Sequence, residues 1–250
     1  MDEEIKKTAV DRLARAFKEA IELYTDTALL LNACDIARKR YENIHNLPFL
    51  STTCNIPQDY QYRIEFDLIF EPPELIQEYS EPLLKVLSLN YLVRAIALFD
   101  ACLEDIYGTL LPVYDISLTV EKVTKRVLSA WTEKQNYRKS QLRCFFTDEL
   151  GLKSPERYPK NTLDMLFDRY EEMREIRHAV VHNKGVLAKK HQDKLKLLSE
   201  RLPEELRHLS LANADFLETN TVNMEVLQIY MIRYWLFEAI SYLMISFQES

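Results

Sequence analysis

Glycine is nearly missing from this chain: three residues in 250, Gly108, Gly151 and Gly185, against a usual share of roughly 7%. Dinucleotide folds and P-loops need clustered glycines, because only a residue without Cβ lets the backbone close on a phosphate. Those modes are excluded. So few positive-φ positions also favour helices joined by simple connections. Paired cysteines are missing too. Cys34, Cys54, Cys102 and Cys144 are widely spaced with no Cys-x-x-Cys, so neither a zinc ribbon nor a thioredoxin-type site is supported. Cys34 and Cys102 fall in apolar helical stretches, as small buried hydrophobes do.

A basic excess is missing as well. The formal charge is −7, so a nucleic acid would have to meet a local basic surface rather than a field of the whole protein. The opening residues Met1-Asp2-Glu3-Glu4 are acidic, unlike a secretory leader, and no apolar run reaches the roughly 18–20 residues that span a bilayer. The expectation is a cytoplasmic protein with no membrane partner. An apolar fraction of 47% and a charged fraction of 28% are those of a globular chain, so wholesale disorder is not expected.

What is present is mostly helix. Over residues 2 to about 46, Ile5, Ala9, Leu13, Ala16, Ala20, Leu23 and Thr27 recur at spacings of three and four, the mark of one buried helix face. Residues 60–70 instead alternate and are rich in aromatic and β-branched side chains, which predicts a hairpin or a strand against a loop. Pro72-Pro73 ends it and provides the best domain boundary, dividing an N-terminal part, 1–75, from a helical part, 76–250. Residues 82–111 predict a long helix, apolar on most sides and so central in a bundle, with Pro112 as its stop. One stripe of it carries Asn90, Arg94, Ala97, Ala101, Glu104 and Gly108. That stripe suits close packing of another helix, with Arg94 and Glu104 paired, or a polar site.

Helices are then expected over 119–136, 138–150, 162–184 (capped by Asn161 or Thr162), about 187–208 and 222–248, with an irregular loop from Asn213 to Thr221. The fold class is all-α, an up-and-down helical bundle preceded by a helix and a short extended segment. The stretch 122–143 is the densest basic region: Lys122, Lys125, Arg126, Lys134, Arg138, Lys139 and Arg143, interleaved with Trp131 and Tyr137. It reads either as a solvated face or as a nucleic-acid surface.

The segment able to carry chemistry is Arg177-His178-Ala179-Val180-Val181-His182, which closes a helix at Asn183-Lys184-Gly185. Glu171, Glu175, His178 and His182 share one face. Arg177 is turned about 140° from His182, so both can flank one cleft only if the helix end distorts or a second helix faces it. Three readings stand: a solvated face, a zinc site built on His-x3-His with an upstream carboxylate, and acid–base work beside a phosphate-binding arginine. The zinc reading lacks a third strong ligand nearby.

The segment, the helix end it occupies and its all-helical surroundings resemble the Arg-x4-6-His motif of the HEPN superfamily, in which the residue after the arginine is often polar, as His178 is. The upstream helix Leu92–Tyr107 and the final apolar helix are similar to those of its stand-alone bacterial defence and toxin members. The likeness covers roughly residues 80–250. It implies a homodimeric, metal-independent endoribonuclease with no cofactor and a composite cleft made by two copies of the motif. His182 would be the general base or acid at a ribose 2′-hydroxyl. Arg177 would stabilise the phosphorane, and His178 would position phosphate or tune His182. Asp100, Glu104 and Arg94 are candidate supporting groups. Lys184, Lys189, Lys190, Arg138 and Lys139 are candidate contacts to the RNA backbone, and an antitoxin or defence-system protein is a candidate partner. Some relatives carry a modifiable tyrosine two residues after the histidine. Lys184 stands there, which argues against a nucleotidyltransferase partner of that kind.

Overall fold

A computed structural model of the chain describes residues 3–43, 50–51, 69–133, 139–158, 160–204, 207, 210 and 216–250. Helix α1 (Glu3–Asn43) opens with Glu3 and Glu4 in its first turn, where acidic side chains complement the helix dipole. It buries Ala9, Leu13, Ala16, Ala20, Leu23, Thr27 and Cys34, the face its spacing predicts. Strands β1 (Leu50–Ser51) and β2 (Ile69–Phe70) pair antiparallel, Leu50 opposite Phe70. Of the predicted extended stretch only Ile69 and Phe70 are among the described residues, and 60–68 lie outside them.

Pro72 and Pro73 do more than end the strand. They are the first residues of α2 (Pro72–Ser80), where a missing N–H costs no hydrogen bond. Glu71 and Glu74 close a capping box, the Glu71 N–H donating to Glu74 Oε2 at 2.9 Å. Helix α3 (Pro82–Tyr114) runs through Pro112 rather than stopping there. Proline so near a helix end removes one hydrogen bond from the last turn, and the Asp115 N–H still closes that turn on Leu111 O at 3.0 Å. Among the described residues Pro72–Tyr114 is the one helical stretch long and apolar enough, by length and composition only, to cross a membrane, although charged residues such as Arg94 and Asp100 interrupt its apolar run. Here it supplies the core of the bundle: Leu92, Ala95, Ile96, Phe99, Leu103 and Ile106 are at most 1% exposed.

Helix α4 (Val120–Leu128) is shorter than the pattern suggests, and α5 (Gln141–Cys144) continues into a π-helical turn, Phe145–Glu149. Thr162 rather than Asn161 caps α6 (Leu163–His182), accepting from the Met165 N–H at 3.1 Å. Helix α7 (Lys189–Glu200) covers the first part of the expected 187–208 helix, α8 (Phe216–Thr219) is a single turn within the expected loop, and α9 (Val226–Glu249) closes the chain.

Helix α3 packs against α1, α6 and α9, and α7 lies on α6. Residues of α1, α3, α6 and α9 share one core. At its centre the Tyr170 and Trp235 rings stack with centroids 5.4 Å apart, and Phe99 meets both edge-on at 4.8 and 5.6 Å. This aromatic triad sets where α6 sits on α3 and α9, and therefore where the end of α6 emerges.

The polar stripe of α3 is divided among three neighbours. Gly108 meets α4 so closely that an added Cβ would lie 3.1 Å from Val127 Cγ2. Glu104 does not pair with Arg94, since its Oε1 takes the Trp131 indole N–H at 2.6 Å. Ten residues of helix separate the two by about 15 Å, too far for an ion pair. Arg94, Ala97 and Ala101 line a groove of about 680 Å³ between α1 and α3.

Candidate active site

Helix α6 ends where its backbone is turned back. The N–H groups of Asn183 and Gly185 both donate to Ala179 O, at 3.0 and 2.9 Å. Lys184 and Gly185 lie at φ +53° and +83°, and only Gly185 adopts that region without a Cβ penalty. The reversal lays α7 against the last turns of α6. Between them lies a shallow groove of about 240 Å³, lined by Arg174, Glu175, Arg177, His178, Val181, His182, Lys190 and His191. Arg177 and His182 thus border one groove despite their angular separation, because a second helix faces them.

Asp100 of α3 anchors the arginine side. This carboxylate, 12% exposed, accepts from Tyr170 Oη at 2.5 Å, Arg174 Nε at 2.8 Å and Arg177 Nη1 at 3.3 Å. The neighbouring charge and burial push the Tyr170 phenol well above its usual value, burial contributing most. Arg174 also lies over the Trp131 ring, 3.8 Å from its centroid, and Trp131 is held in turn by Glu104. The Arg177 side chain is one-third exposed, but its Nε is buried and has no hydrogen-bond partner among the described residues. What it can offer a ligand is therefore its Nη groups, of which only Nη1 is engaged, by Asp100.

The histidine side is built from two helices. His178 and His182 are ring neighbours at 4.7 Å, and His191 of α7 lies 5.0 Å from His178 on the other side. Glu175 fixes His191, its Oε2 lying 2.6 Å from Nδ1, and takes Lys194 Nζ on Oε1 at 2.7 Å. Burial raises the Glu175 carboxyl, but the hydrogen bonds from Lys194 and His191 outweigh it and hold the group below its usual value. For His178, partial burial and then the two flanking imidazoles lower its basicity. A neutral imidazole between two others is the expected state near neutral pH.

The other sequence candidates scatter. Asp100 joins the site directly and Glu104 joins it through Trp131 and Arg174, whereas Arg94 faces the separate α1–α3 groove. Lys190 lines the histidine groove; Lys184 is exposed at the reversal, and Lys189 pairs with Asp193 at 3.0 Å. Lys139 pairs with Asp164 at 2.9 Å, at the opposite end of α6, about 20 Å from Arg177 along the helix axis. Arg138 lies outside the described residues. Glu175, expected on the face of His178 and His182, is there; Arg174 and His191 complete the site without having been singled out. Arg174 carried a signal, because its i,i+3 spacing to Arg177 puts both on one helix face. His191 carried none, being one member of a basic run.

His191 is a third imidazole near the first two, yet among the described residues no group of three or more His, Cys, Asp or Glu is arranged to hold a metal ion. Compared with family models, with curated proteins and with solved structures, the chain finds no match.

Proposed function

We propose that this protein is a metal-independent endoribonuclease of HEPN type, acting as a cytoplasmic homodimer in a toxin or antiviral defence system. The observation that carries the reading is the shared groove. Arg177, His178 and His182 all border it, and Arg177 is steadied by Asp100 through Nη1 alone. Planar N–H donors beside an imidazole suit a phosphodiester next to a ribose hydroxyl.

In the proposed reaction His182 takes the 2′-hydroxyl proton as O2′ attacks phosphorus. Arg177 stabilises the charge that builds on the phosphorane oxygens. The P–O5′ bond then breaks and O5′ receives a proton, leaving a 2′,3′-cyclic phosphate and a 5′-hydroxyl end. The second copy of the motif across a dimer interface supplies the opposing proton donor. Lys190 and the exposed Lys184 track the phosphate backbone.

The deciding experiment is cleavage of varied RNAs in EDTA by wild type and by His182→Ala. Cyclic-phosphate products from wild type, with loss of at least a hundredfold in the variant, are expected. A folded wild type that cuts none of them overturns the reading in favour of a non-catalytic interaction module. Activity abolished by EDTA would favour a zinc enzyme instead.

A further inference from the structure

Arg174 and Arg177 stand three positions apart on α6, so their side chains leave the same helix face. Both are tied to the two oxygens of one carboxylate. Asp100 Oδ1 accepts from Arg174 Nε at 2.8 Å, and Oδ2 accepts from Arg177 Nη1 at 3.3 Å. Two guanidiniums are thereby held side by side at the α6–α7 groove, which both line. Among the described residues neither Nη group of Arg174 has a hydrogen-bond partner, and neither does Nη2 of Arg177. Arg174 is also oriented before any ligand arrives, since its guanidinium lies on the Trp131 ring and Trp131 is held by Glu104. A side chain already fixed loses little freedom on binding.

The charge of this groove is positive in a chain whose total is −7. Arg174, Arg177 and the exposed Lys190 line it as cations. Asp100 offsets one of them, and the carboxylate on the groove wall, Glu175, is taken by Lys194 at 2.7 Å. An anion is therefore the ligand that this local field attracts. The donors also select among anions. One guanidinium fork satisfies the two coplanar oxygens of a carboxylate. Two forks and an ammonium call for more acceptor oxygens, set out of one plane, as in a tetrahedral phosphate.

We propose that Arg174 and Arg177 together seat one phosphate group, Arg174 being a phosphate-binding residue outside the Arg177–His182 segment. The seat deepens the ribonuclease reading, whose groove it shares, but needs no cleavage to be observed. Calorimetric titration of the full chain with inorganic phosphate and with acetate, at pH 7 and constant ionic strength, tests it. Phosphate is expected to bind saturably and about tenfold tighter than acetate. Arg174→Gln is expected to weaken phosphate about tenfold, and Arg174→Lys, which keeps the charge but loses the fork, about threefold. Lys125→Gln, which removes an exposed charge from α4, should bind phosphate as wild type does. Absence of saturable phosphate binding, equal affinity for acetate, binding unchanged in Arg174→Lys, or equal weakening in Lys125→Gln overturns the proposal. If Arg174→Gln does not fold, Arg174→Lys decides alone. Displacement of phosphate by a 2′-O-methyl oligoribonucleotide, which cannot be cut, supports the seat as one for nucleic-acid backbone, and no displacement supports it as one for free phosphate. A wild type that binds phosphate through Arg174 yet cuts no RNA keeps the seat and loses the ribonuclease. RNA cleavage with phosphate binding indifferent to Arg174 does the reverse.

Discussion

The two ends of α6 use the same pair of groups, arginine and carboxylate, to opposite effect. At the N-terminal end Arg143 is 2% exposed and every guanidinium nitrogen is engaged: Nη1 on Asp168 at 2.6 Å, Nη2 on Asp164 at 2.7 Å and Nε on Asp164 at 3.2 Å. Arg201 and Lys139 close the cluster from outside, on Asp168 and Asp164. At the C-terminal end Arg177 makes one longer contact with Asp100 and opens onto a groove. A guanidinium whose donors are all satisfied internally holds elements together, whereas one with donors to spare can meet a ligand. Charge alone does not separate the two, but the fate of each nitrogen does.

The largest effect that would break this comparison is on stability. Arg143→Met takes from buried Glu171 the guanidinium 3.7 Å away and leaves Asp168 with Arg201 alone, and is expected to cost about 3 kcal/mol, read as a lowered urea midpoint. A loss under 1 kcal/mol would mean the cluster is not the anchor described. Asp100→Asn comes next. It weakens the hold on Tyr170, Arg174 and Arg177 together, with an expected loss of about 2 kcal/mol and a fall in RNA cleavage larger than the stability loss explains. Equal effects on both would make Asp100 a purely structural group.

The smallest is a pH effect at the α6–α7 contact. Glu175 is held below its usual value, so its contribution is complete above the unfolded carboxylate range, about pH 4.3, and is lost as pH falls through the folded value. Its partner Lys194 is buried, which lowers it, but Glu175 more than compensates and raises it. That contribution is complete below the unfolded lysine value, about 10.4, and fades as pH rises through the folded one. Glu175→Gln should flatten both limbs of the stability–pH curve, by about 1 kcal/mol at the acid limb. Unchanged limbs would remove the pair from the account.

Much of this was legible from periodicity. The face of α1 from Ala9 to Thr27 could be read because small and apolar residues recur without interruption. The cap at Thr162 and the reversal at Lys184-Gly185 were legible because caps are local chemistry. Asp100 could be nominated as a polar residue inside an apolar helix, a position that demands partners. Those partners could not be named, because the contact from Asp100 to Arg177 spans 77 positions of chain. His191 escaped for the same reason: nothing local distinguishes a histidine that will be buried against Glu175 from its neighbours in a charged run. Pro112 misled because proline forbids a helix interior but only weakens a last turn.

One carboxylate on the central helix touches both the buried tyrosine and the half-exposed arginines. The rim of the groove is thereby fastened to the most rigid part of the molecule and not to a loop. Heat or denaturant should then disable that rim in the same cooperative step that melts the bundle, with no earlier stage at which the chain is folded but its arginines have drifted.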